Sequence, residues 1–236
     1  MLSSQMIPSR RLSLALVLGA LFGLAVTGSA GAAEGRLYPS GPPNGVAYLR
    51  FANLSAAPVK ISSAGGALDL GTEGAQRVGE FDPVTPGTEL TGTAAIGGKT
   101  APVKVTLKPN EFVTVAVTTV ADGTPEVSLV REEPTDFNAQ KSALALYNLD
   151  KGCTGATLTA GDSHVAVVSN VAPGATGRRM VNPVDVALAV ACGDNATKVD
   201  LGAMAAGERY SVFLFAPSGG TRQAIGLADK MAPFRP

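Results

Sequence analysis

The sequence predicts an all-β fold of two tandem immunoglobulin-like antiparallel β-sandwich domains, which follow a cleaved signal peptide. Three observations predict it. Short runs of alternating apolar residues are separated by turn residues, which is typical of a sandwich or barrel. The chain contains 28 glycines and 16 prolines, too many for long helices. The third observation is an internal repeat. The apolar runs that we interpret as strands include residues 46–51, 103–107, 112–117, 143–147, 186–190 and 210–215.

The first residues have the pattern of a secretory signal peptide. Arg10 and Arg11 provide a positive start, residues 12–27 are an uncharged apolar run, and Ala30-Gly31-Ala32 is a cleavage pattern of small residues. An apolar run of about 16 residues is shorter than the roughly 20 that a membrane helix needs, so an uncleaved anchor is the lesser alternative. We therefore predict that residues 1–32 are removed and that the mature chain is exported and has no membrane span.

Arg10 and Arg11 also bear on the export route. The segment around Arg10 and Arg11 weakly resembles a twin-arginine signal, but Ser13 stands where that signal has a bulky residue. We expect the general secretory route, with twin-arginine export as the alternative.

The internal repeat divides the mature chain. Asn53-Leu54 recurs 95 positions later as Asn148-Leu149, and Asn110-Glu111 is matched 97 positions later by Gly207-Glu208. A copy of about 95 residues has the size of one immunoglobulin-like sandwich. The predicted parts are an N-terminal sandwich at residues 33–131, a charged and proline-containing linker at 132–139, and a C-terminal sandwich at 140–236.

Composition excludes several classes of function. The chain has 19 basic and 19 acidic residues and no net charge, so it lacks the basic surface by which proteins bind nucleic acid or an anionic membrane. Cys153 and Cys192 are the only cysteines, and in an exported protein such a pair predicts a disulfide. His164 is the only histidine, so the cysteines cannot complete a structural zinc site. We predict no metal and no cofactor.

One tripeptide suggests catalysis. Gly161-Asp162-Ser163 resembles the nucleophile block of a class of esterases and acetyltransferases, but a serine nucleophile needs a histidine base oriented by a carboxylate. His164 directly follows Ser163, and neighbouring side chains of a strand point to opposite faces. We therefore interpret the tripeptide as a turn and the protein as a non-enzyme. An enzyme that uses Ser163 remains an alternative.

Binding of sugars by aromatic stacking is another alternative. The chain has no tryptophan. We assign Phe51, Phe112, Tyr147, Tyr210 and Phe213 to strand cores. The aromatic residues that we expect to be free for a ligand are Tyr38, Tyr48, Phe137 and Phe234.

Several segments together resemble a known family. Residues 37–53 begin with Leu-Tyr-Pro-Ser-Gly-Pro-Pro-Asn-Gly and continue into a strand that contains Leu49-Arg50. Glu132-Glu133-Pro134, Asn148-Leu149 and Gly207-Glu208 also match. This pattern resembles the AlgF family of periplasmic accessory proteins of alginate O-acetylation. The two cysteines and the high content of alanine and glycine are departures, and they leave the identity of the polymer open.

The resemblance implies a non-catalytic adaptor in the periplasm. Its expected partners are periplasmic and membrane O-acetyltransferase proteins and, as a further option, the polysaccharide itself. Alginate is the expected polymer, and cellulose is an alternative because related proteins accompany its acetylation. A carbohydrate-binding sandwich is the competing hypothesis. The candidate interaction surface consists of Tyr38, Pro39, Arg50, Glu132, Glu133 and Phe137.

Overall fold

The computed structural model describes residues 45–218 and 220–234. These residues form sixteen β-strands and one short 3₁₀ turn at Gly74–Arg77, which confirms the predicted all-β fold. The predicted signal peptide lies outside the described residues, as do Tyr38 and Pro39. In the part of the chain that is described, no helix has the length and apolar character needed to cross a membrane.

The first sandwich contains eight strands in two sheets. The inner sheet has the order β4-β1-β7-β8, and the outer sheet has the order β3-β2-β5-β6. Valine, isoleucine and leucine side chains from both sheets fill the core between them. The strands are β1 Ala47–Asn53, β2 Val59–Ser63, β3 Gly66–Leu70, β4 Asp82–Val84, β5 Glu89–Ile96, β6 Lys99–Thr106, β7 Phe112–Thr119 and β8 Pro125–Glu132.

The second sandwich repeats this arrangement. Its inner sheet has the order β12-β9-β15-β16, and its outer sheet has the order β11-β10-β13-β14. A second apolar core fills the space between these sheets. The strands are β9 Ser142–Asn148, β10 Ala156–Ala160, β11 Val165–Val171, β12 Ala175–Val181, β13 Leu188–Cys192, β14 Asn195–Val199, β15 Arg209–Phe215 and β16 Gln223–Ala228.

The two inner sheets pack against each other. Alternate residues of β7, such as Val113 and Val115, point into the first core, whereas Phe112 and Ala116 point toward the second sandwich. Every residue of β9 and β15 is buried, because both faces of these strands are covered. The described residues of both sandwiches belong to one compact unit.

A parallel strand pair lies at the centre of each inner sheet. β1 runs parallel to β7, and β9 runs parallel to β15, whereas the other pairs of named strands are antiparallel. These four strands are the ones that the sequence repeat relates. The connection between the sandwiches, predicted at residues 132–139, runs from 133 to 141, because Glu132 is the last residue of β8.

The repeated asparagines hold the ends of β1 and β9. The side-chain amide of Asn53 donates a 2.7 Å hydrogen bond to the carbonyl of Gly71. Asn148 donates in the same way to the carbonyls of Cys153 and Val171, at 2.7 and 2.8 Å. Both asparagines are fully buried. The repeat therefore preserves a side chain that satisfies backbone groups which the strands leave unpaired.

The predicted disulfide is confirmed. Cys153 follows β9 and is joined to Cys192 at the end of β13, with their Cα atoms 5.8 Å apart. Both residues lie in the second sandwich, and the bridge connects the segment between β9 and β10 to β13 of the outer sheet.

Candidate functional site

A buried polar cluster lies between the two inner sheets, and Arg50 is at its centre. Arg50 is only 1% exposed and points from β1 toward the second sandwich. Its Nε donates to Thr114 Oγ1 at 3.0 Å, and its Nη2 donates to Ser211 Oγ at 2.9 Å. Its Nη1 donates to Asp229 Oδ1 at 2.7 Å. One guanidinium thus connects β1 and β7 of the first sandwich to the second sandwich.

Aromatic rings enclose this guanidinium. The Arg50 Cζ atom lies 4.1 Å from the ring centre of Phe81, 5.2 Å from that of Tyr147 and 5.1 Å from that of Phe213. Tyr147 and Phe213 are themselves stacked, with ring centres 4.6 Å apart. Cation–π attraction of this kind is strongest where water is excluded.

The electrostatics favour the ionised form of both members of the ion pair. Burial has the largest single effect and raises the pKa of Asp229, but the charges of Arg50 and Arg209 and nearby hydrogen bonds together lower the pKa overall. Burial has the largest single effect and lowers the pKa of Arg50, but Asp229, together with Tyr147 and Glu132, raises the pKa overall. The pair is therefore charged at neutral pH, and removing either member leaves an uncompensated charge in the interface.

Glu132 forms a second polar connection between the sandwiches. As the last residue of β8, it accepts a hydrogen bond from the Tyr147 hydroxyl. It also accepts a 3.0 Å hydrogen bond from Nε of Arg178 on β12. Burial, and next the charge of Glu132, raise the pKa of Tyr147 to about 12. The phenol therefore remains neutral and donates to the carboxylate.

The structure corrects two members of the predicted interaction surface. Arg50 and Glu132 are buried between the sandwiches, so they do not lie on the exposed surface of the described residues. The reason is that the faces of β1 and β8 that carry them are covered by the second sandwich. Glu133 and Phe137 lie on the connecting segment and are exposed, and Phe137 is 37% exposed. Their contact with a partner remains a prediction.

The aromatic residues divide largely as the sequence indicated. Phe112, Tyr147, Tyr210 and Phe213 are buried, as predicted, and Phe51 is partly buried against the first core. Phe137 and Phe234 are exposed. The expectation for Tyr48 is wrong. Tyr48 is buried and stacks on Phe112 with ring centres 5.0 Å apart, because its face of β1 is covered by the second sandwich.

A cleft opens between the two sheets of the first sandwich. Its volume is about 790 Å³, and its lining is mainly apolar, including Phe51 and Leu90. Asp82 and Glu89 add two carboxylates to the lining. Burial, and next the charge of Glu80, raise the pKa of Asp82. Sequence reasoning missed this cleft, since a gap between sheets depends on their packing and leaves no motif.

The tripeptide Gly161-Asp162-Ser163 forms a turn between β10 and β11, as predicted. The backbone N–H of His164 donates to the carbonyl of Gly161 at 3.1 Å, which closes the turn. The Ser163 and His164 side chains are exposed. Within the described part of the chain, no cluster of three or more histidine, cysteine, aspartate or glutamate residues is placed to hold a metal ion.

Comparison with known proteins identifies relatives over most of the chain. The family model "Alginate O-acetyl transferase AlgF" matches residues 20–225. The alginate biosynthesis protein AlgF of Pseudomonas putida is 33% identical over 76% of this chain and 77% of its own length. AlgF of Pseudomonas fluorescens is 34% identical over 78% of each chain. A solved structure of the C-terminal domain of AlgF from Pseudomonas aeruginosa is 31% identical, covers 38% of this chain and 98% of that domain, and has a TM-score of 0.33. This chain belongs to the AlgF family.

Proposed function

We propose that this protein is a non-catalytic periplasmic adaptor or relay component of polysaccharide O-acetylation, and that the polymer is alginate. The observation that carries the proposal is the family match over residues 20–225, whose description names an alginate O-acetyl transferase. Relatives that share about one third of their residues are named alginate biosynthesis proteins. The periplasmic location is supported by the signal-peptide pattern of residues 1–32.

The geometry of the interface supports an adaptor role. The Arg50–Asp229 and Glu132–Arg178 ion pairs and the apolar residues around them connect the two sandwiches. A partner that contacts one sandwich would therefore meet the other at a defined distance and angle. The exposed Glu133 and Phe137 lie on the segment between the sandwiches, where one partner surface would contact both. We propose periplasmic and membrane O-acetyltransferase proteins as those partners.

The chemistry of the turn at residues 161–164 supports a non-catalytic role. Ser163 and the single histidine of the chain, His164, are exposed on the same tight turn. Nucleophilic catalysis by serine needs a histidine that accepts the serine proton and a carboxylate that orients it. The competing hypothesis is an enzyme that uses Ser163, and the word transferase in the family description keeps it open. It predicts hydrolysis of an acetyl ester that Ser163→Ala abolishes.

A carbohydrate-binding role is the second candidate, and the cleft of the first sandwich favours it. A volume of about 790 Å³ falls in the range of ligand pockets, which are roughly 300–1,000 Å³. Phe51 offers an aromatic face, and Asp82 and Glu89 offer hydrogen-bond acceptors. Two carboxylates repel a polyuronate such as alginate, so this cleft suits a neutral polysaccharide better.

Affinity capture tests the adaptor proposal against the binding-module proposal. The tagged mature protein is incubated with periplasmic and solubilised-membrane extracts, and polymer sedimentation is measured in parallel. The adaptor proposal predicts recovery of an O-acetyltransferase component without co-sedimentation of alginate. Co-sedimentation with polymer and no recovered acetyltransferase component would contradict it and favour a glycan-binding module.

A further inference from the structure

Arg209 is a buried cation whose side chain meets no hydrogen-bond acceptor in the part of the chain that the structure describes. It is the first residue of β15, is 9% exposed, and its Cζ lies 4.5 Å from the ring centre of Phe112 in the first sandwich. None of its three side-chain nitrogens has a hydrogen-bond acceptor among the described residues. Arg50, in the same interface, uses all three of its nitrogens. The two buried arginines therefore differ in hydrogen bonding: the donors of Arg50 are satisfied, whereas those of Arg209 are not.

The charges around Arg209 do not balance. Arg50 is paired with Asp229, and Arg178 is paired with Glu132, so three guanidinium groups share two carboxylates. Asp229 also attracts Arg209, but its Oδ2 has no hydrogen-bond partner among the described residues. Tyr147 does not supply the missing negative charge, because its pKa is raised to about 12 by burial and then by Glu132. Burial, and next the like charge of Arg178, lower the pKa of Arg209, so its neighbourhood disfavours a further cation. An arginine stays protonated even so.

Small side chains lie beside Arg209 and Arg178 on the central strand of this sheet. On the central strand β9, Ala143 is opposite Arg209 and Ala145 is opposite Arg178, in adjacent pairs of the same sheet face. Both alanines are buried. Nη1 of Arg178 also lacks an acceptor among the described residues. Two guanidinium groups with free N–H donors therefore flank a strip of methyl groups.

We propose that this part of the interface is a binding site for one small monovalent oxyanion of the carboxylate class, held between Arg209 and Arg178. A planar guanidinium binds a carboxylate through two parallel N–H donors, and a group of acetate size matches the limited access to a side chain that is 9% exposed. One negative charge would balance the cluster. This inference concerns a ligand and is independent of the adaptor proposal.

Thermal unfolding of the mature protein in acetate and in chloride, at equal ionic strength and pH, tests the proposal. A ligand that binds only the folded state raises the midpoint temperature, and we expect a rise of about 3 °C or more in saturating acetate. Arg209→Met should abolish the difference between acetate and chloride. The matched control Arg179→Met removes the exposed arginine beside Arg178 and should retain the difference.

Two results of the thermal experiment would overturn the proposal. One is an equal midpoint temperature of the wild-type protein in acetate and chloride. The other is an acetate effect that Arg209→Met retains. A short uronate oligomer carries the same carboxylate group as part of a polymer, and it should not raise the midpoint temperature. If the oligomer stabilises the protein and acetate does not, the site binds polymer and the proposal of a small free anion is wrong.

A second measurement covers the case in which Arg209→Met fails to fold. Because the Arg209 guanidinium lies against the Phe112 ring, bound acetate would lie near that ring. We expect a nuclear Overhauser effect between the acetate methyl group and the ring protons of Phe112 in the wild-type protein, and nitrate should suppress it by competition. The absence of this effect in saturating acetate would overturn the proposal.

Discussion

Arg50 of the first sandwich donates a 2.7 Å hydrogen bond to Asp229 of the second, and both side chains are almost completely inaccessible to solvent. The two residues are 179 positions apart in sequence. Since the packed inner sheets enclose the pair, it is formed only when the sandwiches are in contact. The pair therefore reports directly on whether the interface is intact.

Removing Arg50 should strongly destabilise the protein. Arg50→Met leaves Asp229 buried without its hydrogen-bonded cation, and breaking one side of a buried pair lowers the free energy of unfolding by about 3–5 kcal/mol. The double variant Arg50→Met/Asp229→Leu should recover most of that loss, because an apolar pair carries no unpaired charge. Chemical denaturation measures both. A double variant as unstable as Arg50→Met would show that the ion pair is not the source of the effect.

Stability should fall in alkaline solution because of Tyr147. Its pKa is raised from 10.0 to about 12 in the folded protein, by burial first and by Glu132 second. The neutral phenol therefore stabilises the fold fully below pH 10, and this contribution is lost as the pH rises from 10 toward 12. The expected loss is about 2–3 kcal/mol.

Denaturation curves between pH 9 and 12 measure this effect, and Tyr147→Phe provides the control. The variant lacks the titrating hydroxyl, so its free energy of unfolding should depend less on pH in this range. A residual dependence is expected from Tyr48, whose pKa is also raised by burial. If Tyr147→Phe and the wild-type protein show the same slope, the Tyr147 hydroxyl does not have the environment described above.

The disulfide should stabilise the second sandwich. It joins residues separated by 39 positions, and closing such a loop lowers the entropy of the unfolded chain by an amount worth about 4 kcal/mol. Cys153→Ala/Cys192→Ala should therefore lower the free energy of unfolding, and hydrogen exchange should increase most in β10 and β13, which lie beside the bridge. Equal exchange in both sandwiches of the variant would contradict this local role.

The connecting segment should contribute to partner binding. Phe137→Ala removes an exposed aromatic side chain, and loss of an aromatic anchor weakens an interface by about 1 kcal/mol or more, which is a loss of about fivefold or more in affinity. Glu133→Gln should weaken binding less, because rim charges act mainly on association rate. The control is Val165→Ala, which truncates an exposed side chain on β11. Equal partner binding by Phe137→Ala and Val165→Ala would show that the connecting segment is not part of the interface.

Patterns that are local in sequence predicted much of the fold. Strand periodicity and turn residues gave the sandwich class, the repeat related β1 to β9 and β7 to β15, and the cysteine pair predicted the disulfide. The turn at residues 161–164 was also predicted, because its glycine and polar residues favour a turn whatever surrounds them. Each of these features depends on a few residues that are neighbours in sequence, or on the single pair of cysteines.

The interface could not be predicted in the same way. Arg50 in an alternating strand was assigned to the surface because arginine is rarely buried, and only the contact with Asp229 makes its burial favourable. Tyr48 is buried on the same face of β1, and its burial likewise depends on cover from the second sandwich. One signal was available: β9 is apolar at almost every position, which is typical of a strand that is covered on both faces.

The acetyl content of the extracellular polymer tests the central claim most directly. It is measured by NMR in cells that lack this protein and in cells that again produce it, either as wild type or as Ser163→Ala. A non-catalytic accessory component predicts low acetylation without the protein and full recovery with both forms. Unchanged acetylation without the protein would contradict a role in O-acetylation. Recovery with wild type but not with a stably folded Ser163→Ala variant would contradict the non-catalytic role.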